Sequence, residues 1–288
     1  MVNLAKITSG LHQDDHGIWC SGGKSDCWFP DDGHDRCFAI EDSSFWFRQR
    51  NDYILAVLGR FPPNGFILDV GGGNGFVSLE LEKNGFESVL LEPSVTGVQN
   101  ATKRGLRTIV RSRLEDAGFK DHTVPAAGLF DVLEHIEDDR SLLRQLRRIL
   151  VPGGRVYLKV PAGRWLWSLN DDRACHFRRY SIGRIKRLFG DCGFTVDHAT
   201  YMFSYMTIPL LLCRTLPTKL GTAKPITSEK TQSEFVVKST AINFLLSMFH
   251  RAELSMIKRE WRVPFGSSLF VVARSEAEHE KTEQQKDI

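Results

Sequence analysis

The stretch that most narrows what this chain can fold into is Asp69-Val70-Gly71-Gly72-Gly73-Asn74-Gly75. It follows a short apolar run, Phe66–Val70, and leads into a helical pattern over Phe76–Asn84. A strand that enters glycines at alternate positions and then a helix makes a tight turn. There the backbone can approach a nucleotide-like ligand, with free N–H groups at the helix start. The dinucleotide fingerprint Gly-x-Gly-x-x-Gly does not fit, because its last glycine, counted from Gly71, falls on Phe76. The spacing is instead Gly-x-Gly-x-Gly with Asp69 two residues ahead of it. Glu92 closes the next strand-like run, Ser88–Glu92, near the separation at which an acid reaches ribose hydroxyls. The competing reading is a plain strand-turn-helix corner whose glycines only reverse the chain.

Further strand patterns follow at 106–110, 124–130, 155–160, 194–201 and 268–274, with helical patterns at 95–104, 138–150 and 181–190. Within 138–150, Leu142, Leu143, Leu146, Ile149 and Leu150 share the inward face. This alternation predicts an α/β fold with parallel pairing through βαβ crossovers. About 65 residues separate the last two strands, far above ordinary loop lengths, so 202–266 is expected to be an inserted cap. In it, Thr218–Ser233 is polar and expected to be mobile, while Ala241–Lys258 is helical with Ile242, Leu245, Leu246, Phe249 and Met256 on one face. Residues 1–44 read as an irregular leader with scattered aromatics, a segment that packs on something as a lid; a helix follows from Phe45 to Leu58. The division expected is therefore 1–44, a main domain 45–274 containing the cap, and a disordered acidic tail 275–288.

Composition excludes several classes. The chain of 288 residues has Lys+Arg 38 against Asp+Glu 35, a net +3, and its last fourteen residues hold five acids and two lysines. The body is thus +6, too little by itself to indicate nucleic acid. The arginine sets Arg144/Arg147/Arg148 and Arg184/Lys186/Arg187 lie on helical patterns and read as solvated faces. The longest apolar run, Met206–Cys213, is well short of the ~20 residues of a spanning helix. The cysteines at 20, 27, 37, 175, 192 and 213 include no Cys-x-x-Cys pair, and with His34 they match no usual zinc spacing. Met1–Gly10 lacks an apolar leader core, so a cytoplasmic protein with reduced thiols is expected.

Residues 66–75, 88–93, Phe130–Ile136, Leu150–Gly154 and Gly193-Phe194 together resemble the class I S-adenosylmethionine-dependent methyltransferases. The nearest style is that of the ubiquinone-biosynthesis O-methyltransferases, and the resemblance covers about residues 45–200 plus the strand at 268–274. It implies a Rossmann-like, mostly parallel seven-stranded sheet with an antiparallel last strand and helices on both faces. It also implies S-adenosyl-L-methionine as cofactor and S-adenosyl-L-homocysteine as product. By resemblance, Asp69 holds the cofactor's ammonium, with Gly71, Gly72, Gly73 and Gly75 as the cradle. Glu92 takes both ribose hydroxyls, Pro93 lies near the adenine, Leu114 and Glu115 by the purine edge, and Asp131 closes the pocket. Arg113 stands where many relatives carry an acid.

On the chemical side, His135 follows the fourth strand at the ligand edge of the sheet and is the candidate general base. A capping role beside Glu134 and a metal role with Asp131 and Glu134 are the alternatives, and no metal is assigned. A cluster after the fifth strand, Trp165, Asp171, Asp172, His176, Arg178, Arg179 and Tyr180, offers Arg178, Arg179 and Tyr180 to an anionic acceptor, with Trp165 as a further substrate contact; the alternative is a loop whose arginines pair with Asp171 and Asp172. Ser44-Phe45-Trp46-Phe47-Arg48 is placed to cover the cofactor. The expected partner is a small-molecule or lipid-linked acceptor, methylated at oxygen, with a membrane surface as a second contact and no nucleic acid. The alternative is a protein that binds the cofactor, is inert toward acceptors and regulates a partner.

Overall fold

The computed structural model describes residues 2–22, 31–223 and 239–276. In chain order they form α1 (Leu4–Ile7), β1 (His12–Gln13), β2 (Trp19–Cys20), α2 (Asp31–Glu41), α3 (Phe45–Arg60), β3 (Ile67–Val70), α4 (Phe76–Lys83), β4 (Ser88–Leu91) and α5 (Val95–Lys103). There follow β5 (Ile109–Arg111), β6 (Val124–Phe130), a 3-10 turn (Leu133–His135), α6 (Asp139–Ile149), β7 (Leu150–Pro161), α7 (Leu169–Arg173), α8 (Ile182–Asp191) and β8 (Phe194–Met202). The cap contributes α9 (Thr207–Leu210), a π turn (Leu211–Thr215), α10 (Leu216–Lys219) and α11 (Thr240–Lys258), and β9 (Ser268–Ser275) ends the described chain.

All strands join one sheet in the order β1-β2-β5-β4-β3-β6-β7-β9-β8. The inner pairs are parallel, and β9 runs antiparallel between β7 and β8. The seven expected strands are present, but the sheet has nine. The extra two form a hairpin from the leader, whose β2 lies parallel on the edge strand β5 through Trp19–Val110 and Cys20–Arg111. Two-residue strands have too few positions to show a period, so their pairing partner alone makes them strands. The leader also contains the helix α2, which the sequence reading leaves irregular.

Every residue of β3 and β4 is buried, as strands covered on both faces require. On one face α6 and α8 pack Leu142, Leu143, Leu146, Ile185, Leu188 and Phe189 against Leu68, Val70 and Val89. On the other, α3, α4 and α11 pack Tyr53, Ile54, Val57, Leu81 and Ile257 against Ile67 and Tyr157. Helix α6 starts because Asp138 accepts from Ser141 N (3.0 Å). It ends at Ile149, so Leu150 serves β7 instead. Helix α11 buries His250, Glu253 and Ile257, not the apolar stripe its sequence displays. Among the described residues no helix is long and apolar enough to cross a membrane. Cys27, most of the polar stretch Thr218–Ser233 and nearly all of the acidic tail lie outside the described residues.

Candidate active site

A cavity of about 960 Å³ opens over the carboxyl ends of β3, β4, β5, β6 and β7. The strand order reverses at β3, whose neighbours β4 and β6 lead to opposite edges, and α/β sheets place their sites at such a crevice. Helices α2 and α3 wall it on one side, and Met206, Leu210 and Arg214 of the cap wall it on another.

The glycine loop forms its floor. Gly71, Gly73 and Gly75 have φ of 65°, 58° and 72°, the left-handed region that side chains resist. Gly72 is required for a different reason: a Cβ there would come within 2.4 Å of Leu90 Cδ1 and 2.6 Å of Asp69 Oδ2. The Asp69 carboxylate is fully buried at the end of β3. Its Oδ2 accepts from Ser78 Oγ (2.7 Å), while Oδ1 has no partner among the described residues. Burial pushes its pKa up to about 6, against the Ser78 hydrogen bond and the charge of Arg50. A buried, half-satisfied carboxylate lining a cavity fits a cationic group such as the ammonium the resemblance brings there.

Glu92 is also buried, and both its oxygens face backbone N–H groups: Gly73 N to Oε2 and Ser94 N to Oε1, each 2.8 Å. Burial lifts its pKa to about 7, opposed by these two bonds. Each carboxylate oxygen keeps a second lone pair, so the clamp leaves capacity for hydroxyl donors. Pro93, Leu114 and Glu115 line the same end; Leu114 is buried, while Glu115 is exposed and 4.0 Å from Arg113. Helix α2 closes over this end. His34 lies 4.0 Å from Glu92, and Asn74 Nδ2 donates to the His34 carbonyl (2.9 Å) and to Glu41. Arg104 from beyond α5 holds Glu41 at 2.7 Å.

The end of the cavity beside β6, β7 and the loop after β7 is built from charge pairs. Asp131, in left-handed backbone (φ 63°) after β6, accepts from Lys159 of β7 and lies 3.4 Å from Arg50 of α3. Burial would raise its pKa, but the two cations hold the carboxyl below the usual range. Glu134 is buried with Oε2 unpartnered among the described residues; burial and then the charge of Asp131 push its pKa well above the usual carboxylate range. His135 packs its ring on that of His176, centroids 4.7 Å apart. Burial, and then the neighbouring His176, drive its pKa down to about 3. His176 Nδ1 is 2.9 Å from Asp171, whose carboxylate is clamped by Arg179 Nε (2.7 Å) and Nη2 (3.0 Å). Burial opposes ionisation of Asp171, yet the His176 and Arg179 bonds hold its pKa at about 2. Glu134, His135 and His176 present ligand atoms within 4.8 Å of one another, a set a divalent cation could use. Asp131 is not in that set; it pairs instead with Lys159 and Arg50.

Of the residues read from sequence, Asp69, Gly71, Gly72, Gly73, Glu92, Pro93, Leu114, Glu115, Asp131 and His135 all line the cavity. Gly75 lies one step outside, where it caps α4. Trp165, Arg178 and Tyr180 do not line it. Trp165 is half exposed, Arg178 pairs with Asp139 (2.8 Å), and the Tyr180 hydroxyl donates toward Leu133 O and Asp139. Arg179 of the same reading does line the cavity, paired with Asp171 as the alternative reading of the loop expects, and His176 lines it beside Arg179. Phe45, Trp46 and Phe47 of the segment Ser44–Arg48 line it. Sequence reasoning missed Arg50 and Lys159, which carry no motif; a charged residue inside an apolar strand was the available signal for Lys159.

A family model described as a methyltransferase domain matches residues 44–199, more than half of the chain. The ubiquinone biosynthesis O-methyltransferase of Xanthomonas oryzae pv. oryzae is 29% identical over 117 residues, 38% of this chain and 48% of that protein. Its Vibrio parahaemolyticus counterpart is 29% identical over 100 residues, 33% of this chain and 43% of that protein. The match thus spans about half the length of these curated relatives. Among solved structures, phosphoethanolamine N-methyltransferase 2 of Haemonchus contortus with S-adenosyl-L-methionine superposes with a TM-score of 0.53 at 18% identity, covering 86% of this chain and 58% of that one. A chain of a complex between a Haloferax volcanii methyltransferase activator and a methyltransferase gives 0.55 at 19% identity, covering 86% and 96%. At these identities the superpositions show the fold. The glycine loop, the acids at the ends of β3 and β4 and the family match agree, and the chain belongs to the class I S-adenosylmethionine-dependent methyltransferases.

Proposed function

We propose that this protein transfers a methyl group from S-adenosyl-L-methionine to an oxygen of a small-molecule or lipid-linked acceptor bound between the glycine loop and the cap. The observation that carries the reading is the pair of buried acids at one end of the cavity: Asp69 with an unpartnered oxygen, and Glu92 fixed by two backbone N–H groups. Asp69 would hold the ammonium, the backbone of Gly71 and Gly73 would lie along the methionine portion, and Glu92 would accept from the ribose. Pro93, Leu114 and Glu115 would flank the purine. The bound cofactor supplies an electrophilic methyl on a sulfonium. The chain aligns the acceptor, excludes water and takes the acceptor's proton.

His135 is the acceptor of that proton in this reading. It is the neutral imidazole at any pH above about 3, hence available though weakly basic. His176, oriented by Asp171 and Arg179, stands beside it as the next group the proton can reach. The ubiquinone relatives support oxygen as the accepting atom. The Glu134–His135–His176 cluster favours a second reading, in which a divalent cation on these three lowers the acceptor's pKa instead. Turnover of phenol, hydroxy-acid and lipid-linked acceptors by the purified protein, with and without chelator, tests both. Activity insensitive to chelator removes the metal, and cofactor binding with no turnover of any acceptor class favours the inert regulatory alternative.

A further inference from the structure

Between Thr240 and His250, α11 has no Asp, Glu, Lys or Arg, yet this half of the helix faces solvent. Ile242, Leu245 and Phe249 recur at helical spacing and are 50%, 48% and 51% exposed, and Phe244, at 68%, and Met248 widen the stripe. The other half is moored: His250 lies 2.9 Å from Asp52, and Glu253 accepts from Tyr53 Oη and Phe203 N. The run Thr207–Lys219 repeats the arrangement. Met206 and Leu210 line the cavity, while Ile208 and Leu212 point out, 65% and 56% exposed. Tyr205 stacks on Phe249 (6.2 Å) and joins the two elements. Contiguous exposed apolar side chains on neighbouring helices mark an interaction surface.

Charge selects the partner. Residues 202–266 hold nine Lys and Arg against four Asp and Glu, a net +5, whereas the whole chain is +3. Of the described cap carboxylates, Glu253 is buried and hydrogen-bonded and Glu260 pairs with Arg60 at 3.1 Å. Lys219, Arg251, Lys258, Arg259 and Arg262 are exposed. A second copy of this chain would bring the same positive face and be repelled.

We propose that the cap docks on a bilayer surface with anionic headgroups. Its apolar side chains enter the interface and its cations pair with headgroup phosphates. Trp261, 61% exposed, has the amphipathic ring suited to that depth. Because one helical run faces the cavity on one side and the bilayer on the other, docking sets the acceptor end of the cavity at the lipid surface. This deepens the lipid-linked reading of the acceptor, but the docking itself requires neither cofactor nor turnover.

The test is co-sedimentation of the full chain with vesicles of phosphatidylcholine alone or with about 30% phosphatidylglycerol, at low and high salt. The expected result is binding to the anionic vesicles that weakens with salt. Leu212→Glu and, separately, Phe244→Glu should lower the partition coefficient by about tenfold or more, with thermal unfolding unchanged. Arg259→Glu with Arg262→Glu should weaken binding to anionic vesicles. Absence of sedimentation with either vesicle overturns the proposal. So does a dimer in analytical ultracentrifugation that the same substitutions dissociate in a protein that ignores vesicles. Loss of turnover with vesicle binding intact would count against the methyl-transfer reading alone.

Discussion

The two ends of the cavity are built differently. The cofactor end comes from a single supersecondary unit, β3–loop–α4–β4, in which Asp69, the glycines and Glu92 lie within 24 residues and are fixed by backbone contacts. The acceptor end draws Arg50, Asp131, Lys159, His135, His176 and Arg179 from separate elements and fixes them by side-chain charge pairs. Backbone clamps tolerate few substitutions because geometry is set by φ and by absent Cβ atoms. Charge pairs can be exchanged in concert, so in the proposed reading the acceptor end is where specificity can change while the cofactor end stays fixed.

The contrast can be broken most sharply at His135. His135→Ala should leave S-adenosyl-L-homocysteine affinity unchanged and lower turnover by about two to four orders of magnitude if it takes the proton. Near-normal turnover would pass that role to His176. Lys159→Met, which leaves the partner carboxylate of Asp131 with Arg50 alone, should destabilise the fold by about 3 kcal/mol in urea unfolding. At the other end, Glu92→Ala should weaken cofactor binding by about 1.5–3 kcal/mol in calorimetry. Unchanged affinity would remove the ribose from that carboxylate.

The two buried acids also give the ends different pH behaviour. Asp69 and Glu92 have folded pKa values of about 6 and about 7, above their unfolded values, so the folded state binds more protons than the unfolded state between about pH 4 and 7. The contribution of each acid to the stability of the ligand-free protein therefore falls as pH rises through that window, by up to about 3 kcal/mol, and is flat above it. Cofactor affinity runs the opposite way, because donors bind the ionised carboxylates. Unfolding of the wild type and of Glu92→Gln between pH 5 and 8 checks the sign: the variant should lose less stability as pH rises. The smallest effect is expected at Tyr180→Phe, about 1 kcal/mol of stability with cofactor binding intact, since its hydroxyl serves Leu133 O and Asp139.

The cofactor end was legible in sequence because each of its requirements is local. A left-handed turn demands glycine, a buried strand demands an apolar run, and an acid at a strand end has one place to point. The seven main strands and the α helices from α3 to α8, apart from the one-turn α7, follow from periodicity for the same reason. The hairpin β1–β2 was invisible because two residues have no period, and its edge partner β5 is far along the chain. Helix α2 escaped because Asp31–Glu41 has little apolar face; it is held by polar contacts to Asn74, Asn100 and Arg104.

At the acceptor end, the sequence by itself determined that a charged loop follows β7 on the ligand edge. Only the tertiary structure decided which of its members reach the cavity. Asp171 chooses Arg179 and His176 while Asp139 captures Arg178, and such choices depend on distances between elements that no spacing encodes. The same holds for α11: its apolar stripe was written in the sequence, but that the stripe faces outward follows from where Tyr53, Asp52 and Phe203 anchor the opposite side. Hydrophobic periodicity specifies that a face exists; the packing of the rest of the chain decides whether that face is covered.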